Sequence, residues 1–303
     1  MKTLVTGCSG LIGNALIEYL FQRGHSIQCL KRNKGSEQNH FWATQLLPTN
    51  TENVFDTVIH LAGENVAEGR WTVARKERIL KSRVEGTRQL IDYISMLAIK
   101  PKVFLCASAI GYYGHSMDEI FNEDSRLGHG FLADVCHHWE RQTDRLAAMG
   151  VRTVNLRFGM VLSPKGGALH KMIPPFKARL GGMLGNGQQF ISWISIRDLV
   201  AIIDFIINQP YIQGPVNIVS PIPTNNKILT ETLGRVLNRP ALLRIPAFLV
   251  KLLFGQMAEE MLLCSTRVTP KVLLETDYNF QDQSLEAVLR YCLETNDSPR
   301  PVE

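Results

Sequence analysis

The stretch MKTLVTGCSGLIG, residues 1–13, decides the fold. Lys2 to Thr6 reads as a short buried strand: Leu4 and Val5 are apolar, and Gly7 stops the run. Leu11 to Gln22 reads as a helix with Leu11, Ala15, Leu16, Tyr19 and Leu20 on one face. Gly7, Gly10 and Gly13 lie between and just inside these elements, with Cys8, Ser9 and Ile12 filling the turn. A nucleotide-binding strand–turn–helix needs small residues at such points. One makes the tight turn, one lets backbone approach a pyrophosphate, and one lets helix and strand pack closely. The helix start at Leu11 offers free N–H groups and the positive end of a dipole, which suits phosphate. The alternative reading is an ordinary strand–helix connection.

Working outward, Gly24 closes the helix and Ser26 to Leu30 reads as a second strand ending at Lys31 and Arg32. An Asp or Glu here would bond the ribose hydroxyls of NAD, whereas a basic side chain favours the 2′-phosphate of NADP. Two solvated surface cations are the alternative. We take the NADP reading, with Arg32 the better phosphate partner because a guanidinium binds two oxygens at once. Gly35 to Asn53 is polar and irregular. Thr57 to Gly63 (TVIHLAG) reads as a buried strand whose end, Leu61, Ala62 and Gly63, lines the cofactor, with His60 a hydrogen-bonded core residue. Trp71 to Ala98 is a long helix carrying Arg83, which either points along the cofactor or is a surface charge.

Val103 to Ala107 is the next buried strand, and it runs into Ser108, Tyr112 and Tyr113. Hydroxyls are thereby placed at the carboxyl edge of the sheet, where ligands sit in such folds. Ser108 with Tyr112 or Tyr113 is the candidate catalytic group, and packing at a strand end is the alternative for the tyrosines. Phe131 to Met149 is a helix and Val151 to Leu156 a strand, followed by a run that includes Val161. Phe190 to Ile196 reads as a strand and Asp198 to Ile207 as a helix. The alternation predicts an α/β fold, a Rossmann-like doubly wound parallel sheet with a smaller, mostly helical C-terminal subdomain on the substrate side. Residues 1–162 form the NADP-binding domain, with 189–220 returning to it. Residues 163–188 and 221–303 form the substrate-side part.

Composition narrows the function. Of 303 residues, 45% are hydrophobic, enough for a sizeable core, and the net charge of +5 comes from scattered basic residues. That argues against nucleic acid as a partner. Six cysteines without a CxxC pair read as reduced thiols of a cytoplasmic protein. The pair His137–His138 lacks ligand spacing, so no metal is expected. No secretory signal is visible, and the apolar stretch Ile245 to Leu263 contains Lys251, Glu259 and Glu260, so no membrane span is expected. Within it, Phe248 to Phe254 reads as helical core, or as partner surface. The long helices either cover the sheet or form the four-helix interface of a homodimer.

The TGxxGxxG pattern (Thr6, Gly7, Gly10, Gly13), the HLAG strand end, Ser108 and the RFGMVL run resemble the extended short-chain dehydrogenase/reductases, the nucleotide-sugar epimerase group. More narrowly, HLAGEN (60–65), RW (70–71), SRVEGT (82–87), SAIGYYG (108–114) and WISIRDL (193–199) resemble the YfcH-type epimerase-family proteins, the group of the human member 39U. Pro246 to Phe254, Gly255, Met261 to Leu263 and Tyr278 to Phe280 resemble that group's own C-terminal domain. The resemblance implies a Rossmann fold, NADP binding and an oxidoreductase or epimerase ancestry. It also implies cofactor contacts from the Gly7–Gly13 turn, Lys31, Arg32, Leu61, Ala62, Arg83 and Val161. The superfamily's YxxxK pair, in which Lys lowers the Tyr pKa from about 10, aligns with LADVCHHWE (132–140). Leu132 then stands at the Tyr position and Cys136 at the Lys position, and neither can do the standard job. Two functions remain open. One is an NADP-dependent enzyme acting on a nucleotide sugar or a carbonyl compound. The other is an NADPH-binding sensor or scaffold with little or no turnover.

Overall fold

The computed structural model describes residues 1–31 and 54–297. The Rossmann half runs β1 (Lys2–Thr6), α1 (Leu11–Gln22), β2 (Ser26–Leu30), β3 (Thr57–His60), α2 (Val73–Met96), β4 (Val103–Ala109), β5 (Ile120–Phe121), α3 (Phe131–Ala148) and β6 (Arg152–Phe158). Then come β7 (Met160–Ser163), α4 (Gly167–Lys177), β8 (Gly182–Leu184), β9 (Phe190–Ile191), β10 (Trp193–Ser195), α5 (Ile196–Asn208) and β11 (Gly214–Ile218). The remainder is β12 (Thr224–Asn225), α6 (Asn226–Val236), β13 (Leu243–Ile245), α7 (Ala247–Phe254), β14 (Arg267–Val268), α8 (Lys271–Glu275) and α9 (Leu285–Asp297). Arg32 and the Gly35–Asn53 stretch lie outside the described residues.

Among the described residues, six strands form one parallel sheet in the order β11-β6-β4-β3-β1-β2. The chain steps outward from β1 to β2, then returns to the other side of β1 with β3. This reversal opens a crevice at the carboxyl ends of β1 and β3, the place where doubly wound sheets bind ligands. Both sheet faces are covered. Leu16 and Leu20 of α1 and Leu199, Ile202, Ile203 and Ile206 of α5 pack on one face. Leu90, Ile91 and Ile94 of α2 and Trp139 and Leu146 of α3 pack on the other. Helices burying an apolar stripe on a continuous apolar sheet are what the period-3.6 and strand-run patterns demanded.

Several expectations are corrected. The Phe190 to Ile196 strand is two short strands interrupted at Ser192, whose hydroxyl donates to the Thr266 carbonyl and accepts from the Val268 N–H. Ile196 opens α5 because the Ser195 hydroxyl caps the Asp198 N–H. The RFGMVL run is likewise broken at Gly159, where a Cβ would lie 2.5 Å from the Ser192 carbonyl. Cys8 and Cys29 are not separate thiols: a disulfide joins them, with Cα atoms 6.1 Å apart. Finally, α7 is not core. Of Phe248 to Phe254, only Val250 is buried.

His60 is a buried core residue, as expected. Its ring bonds Thr6 Oγ1 at 2.7 Å and Thr87 Oγ1 at 2.9 Å, and Trp139 Nε1 donates to the same Thr87 oxygen. Burial, reinforced by nearby Arg83, lowers its pKa from 6.5 to about 3. The native ring is therefore neutral, while the unfolded chain takes up a proton below pH 6.5. Stability attributable to His60 is complete above that value and falls as pH drops toward 3. The expected loss is about 2 kcal/mol between pH 7 and pH 5. Urea unfolding at the two pH values measures it, and His60→Gln should flatten the dependence. Equal slopes for wild type and variant would refute the assignment.

Candidate active site

The turn after β1 closes through a Gly10 N–H to Gly7 carbonyl bond of 3.0 Å, and Asn14 N–H then bonds Gly10 to start the helix. Gly7 has φ +75°, and a Cβ there would lie 2.8 Å from the Ala62 nitrogen. The turn thus rests directly on the end of β3, at Leu61 and Ala62. A Cβ on Gly13 would lie 2.2 Å from the Gly7 carbonyl oxygen. Helix and turn touch backbone to backbone, as the glycine spacing required. No side chain caps the α1 N-terminus, where Gly10 is the N-cap. Its N–H groups face an exposed rim formed by Ser9 and Gly10, with Leu11 and Ile12 half-buried behind. Thr6 is buried, with its hydroxyl turned to His60, and supports the turn from beneath.

Other walls gather around this rim. Leu11 meets Gly167, whose added Cβ would lie 3.0 Å from a Leu11 methyl and 3.6 Å from the Val161 carbonyl. Val161 in β7 thus stands close to the helix start, and Gly166 and Gly167 are contacts that the sequence reading did not assign. Lys31 is exposed just past β2. Arg83 reaches from α2 to the end of β3: its guanidinium carbon lies 3.2 Å from where a Gly63 Cβ would be and 5.0 Å from the Trp139 ring centroid. One of its nitrogens donates to the Ile79 carbonyl. Burial lowers its pKa from 12.5 to about 10, leaving it a cation at neutral pH.

At the end of β4 the candidate hydroxyls join a buried polar network. The Ser108 hydroxyl donates to Glu140 Oε1 at 2.6 Å. Arg157 of β6 donates to both Glu140 oxygens at 2.8 Å and to the Tyr113 hydroxyl at 2.8 Å. Tyr113 in turn donates to Asn217 Oδ1 at 2.7 Å. Burial pushes the Tyr113 pKa up to about 12, against the pull of Arg157. Burial disfavours the Arg157 charge, but Glu140 and Tyr113 more than compensate and hold it protonated. Tyr112 is half-buried, with the Arg157 guanidinium 3.6 Å above its ring. Ser108, Tyr112 and Tyr113 thus share one cluster, anchored by Glu140, Arg157 and Asn217. The sequence pointed to none of these three anchors as site residues, because each comes from a different element.

Leu132 lies over Gly111, 3.1 Å from its added Cβ, and the Cys136 thiol donates to the Ala109 carbonyl at 3.6 Å. Both positions therefore flank the end of β4, where a Tyr and a Lys would have worked. Burial pushes the Cys136 pKa up to about 11, so it is no thiolate nucleophile. Beside the loop that follows Tyr113, a cleft of about 580 Å³ opens between Met117, Asn186, Gln189, Arg244 and Leu263. It lies between the Rossmann half and the C-terminal segments and is large enough for a small molecule.

The chain matches known proteins along nearly its whole length. Residues 3–219 match the model of the NAD dependent epimerase/dehydratase family, and residues 245–292 match a domain of unknown function, DUF1731. An epimerase family protein of Mycobacterium bovis is 36% identical over 291 residues, covering 95% of this chain and 96% of its own. The Bacillus subtilis epimerase family protein YfhF is 36% identical over 296 residues, covering 95% and 97%. The crystal structure of human epimerase family protein SDR39U1 with NADPH superposes with a TM-score of 0.88 at 32% identity, over 97% of this chain and 99% of that one. The UDP-N-acetylglucosamine 4-epimerase of Bacillus cereus, at 17% identity and a TM-score of 0.76, shares the fold over 98% of this chain and all of its own. With most of its length matched by the family model and a relative 36% identical over 95% of it, the chain belongs to the NAD dependent epimerase/dehydratase family and carries a DUF1731 domain.

Proposed function

We propose that the chain binds NADP(H) across the carboxyl edge of its sheet and serves as an oxidoreductase or epimerase-like enzyme on a small molecule. The observation that carries this reading is the uncapped α1 N-terminus above a turn whose Gly7 and Gly13 leave no room for a Cβ. Such a cradle fits a pyrophosphate. Lys31 and Arg32 would hold the 2′-phosphate. Leu61, Ala62, Gly63, Arg83 and Val161 would follow the cofactor toward Ser108. When bound, the nicotinamide would accept or supply a hydride.

The chain's own residues would then position the substrate. The Ser108 proton is committed to Glu140, so the Ser108 oxygen is left as an acceptor. It suits a substrate hydroxyl, which donates, better than a carbonyl, which needs a donor. A nucleotide sugar or another hydroxyl or carbonyl compound would enter the cleft beside Arg244, on the substrate side built from residues 163–188 and 221–303. The second reading, a dinucleotide-bound sensor or scaffold, is favoured by one observation: Tyr113 is buried and bonded on both sides of its hydroxyl.

Fluorescence titration with NADPH and NADH tests the cofactor. NADPH should bind more tightly, and Arg32→Ala should cost about tenfold in NADPH affinity with little change for NADH. Equal binding of both would remove the 2′-phosphate argument. Absence of binding would remove the cofactor reading. Hydride exchange with any sugar nucleotide or carbonyl, abolished in Ser108→Ala, would decide for the enzyme over the sensor.

A further inference from the structure

Helix α7 presents its apolar side chains to solvent. Phe248, Leu252, Leu253 and Phe254 are exposed by 67, 68, 62 and 39%, and Leu249 by 39%. The strand before it adds Leu242 and Leu243, and Leu180, just before β8, is exposed as well. Because β8 and β13 pair with Gly182 opposite Leu243, these side chains come from neighbouring backbone. An exposed apolar group of this size is unusual on a free protein surface and marks a site that something covers.

The charge around it says what that something is. No Asp or Glu occurs between Asp144 and Asp198, the run that contains α4 and β8. None occurs between Glu231 and Glu259, the run that contains β13 and α7. The same runs hold Lys177, Arg179, Arg239, Arg244 and Lys251. Lys251 is paired with Glu259 at 2.9 Å, whereas among the described residues no salt bridge engages Lys177, Arg179 or Arg244. A second copy docking through the same patch would set these cations against their own counterparts. An exposed apolar helix whose flanking segments carry cations and few acids instead matches the boundary of an anionic lipid surface, where acyl chains receive the Phe and Leu side chains and headgroups receive the cations.

We propose that this face, α7 with the adjoining ends of β8 and β13, docks the protein on the surface of an anionic bilayer. The contact is peripheral: no helix among the described residues is long and apolar enough to cross a membrane. It is compatible with the sequence reading, which expects no membrane span.

Co-sedimentation of the full chain with vesicles tests this. Vesicles of phosphatidylcholine with phosphatidylglycerol should bind the protein, and vesicles of phosphatidylcholine alone should not. The double variant Phe248→Asp/Leu252→Asp should weaken binding at least about tenfold. The double variant Lys177→Glu/Arg179→Glu should weaken it by roughly tenfold and reduce its salt dependence. Neither pair lies in the cofactor cradle, so unchanged NADPH titration and thermal unfolding certify that the variants are folded. Equal binding to neutral and anionic vesicles, or no loss in either variant, would overturn the proposal. So would concentration-dependent dimerisation that the apolar variant abolishes while vesicles leave the protein in solution.

Discussion

Replacing Arg157 by leucine is expected to destabilise the fold by about 3–5 kcal/mol, because it removes one half of a buried ion pair. Arg157 is 3% exposed at its side chain and Glu140 12%. Glu140 accepts from Arg157 Nε and Nη2 and from Ser108, so in the variant a carboxylate would remain inside with one hydroxyl as its partner. Tyr113 would lose its donor, and the Tyr112 ring would lose the guanidinium stacked on it. Comparison with Arg157→Leu/Glu140→Leu separates the two contributions to the loss. The double variant removes both charges and should recover much of the stability, since a buried pair is worth little net against apolar residues of similar volume. Urea midpoints at pH 7 give the comparison. A single-variant loss below about 1 kcal/mol would mean that water reaches Glu140 and that the network is not the closed unit described. The consequence for function is separate from stability. The double variant also frees the Ser108 proton, so it changes the hydrogen bond that Ser108 can offer a substrate.

The legibility of this molecule in its sequence follows the range of the interactions involved. The β1–turn–α1 unit was readable to the residue, because its glycines and its apolar period lie within one short window and answer to local sterics. The ends of β2 and α3 were similarly close. The break at Ser192 was not readable, because the partners that stabilise it, Thr266 and Val268, are more than seventy residues away. Cys8 and Cys29 meet because β1 and β2 align Val5 with Cys29, a register that spacing alone does not supply. Site residues followed the same rule. Gly7, Gly13, Leu61 and Ala62 were predicted and form one contact set. Glu140 merely ends the LADVCHHWE run in the sequence, and its bond to Ser108 spans thirty-two residues. Phe248 to Phe254 reads as core from composition, since an exposed and a buried apolar helix have the same hydrophobic content. Only the packing around it distinguishes them.

Gly13→Ala should reduce NADPH affinity roughly hundredfold, about the value of two charge-assisted hydrogen bonds. The added methyl would lie 2.2 Å from the Gly7 carbonyl oxygen and 2.9 Å from the Cys8 Cα. Both neighbours are backbone, so the contact can be relieved only by moving the turn or the start of α1. Either motion carries the uncapped N–H groups away from where a pyrophosphate would sit. The Gly7 side cannot yield, since that residue is already packed on the Leu61 and Ala62 backbone. Part of the strain will appear as lowered stability, so a control of comparable chemistry is needed. Gly24→Ala supplies it: Gly24 has φ +78° and nothing within 4 Å of its added Cβ. That variant bears a left-handed backbone penalty of about 1–2 kcal/mol without touching the cradle. If affinity tracked stability alone, the two variants would bind NADPH in proportion to their unfolding midpoints. If the cradle is the binding element, Gly13→Ala will lose affinity far beyond its share of destabilisation, and Gly24→Ala will bind as wild type once folded. Retained NADPH affinity in folded Gly13→Ala would place the dinucleotide elsewhere on the sheet edge and would separate the family's fold from this chain's use of it.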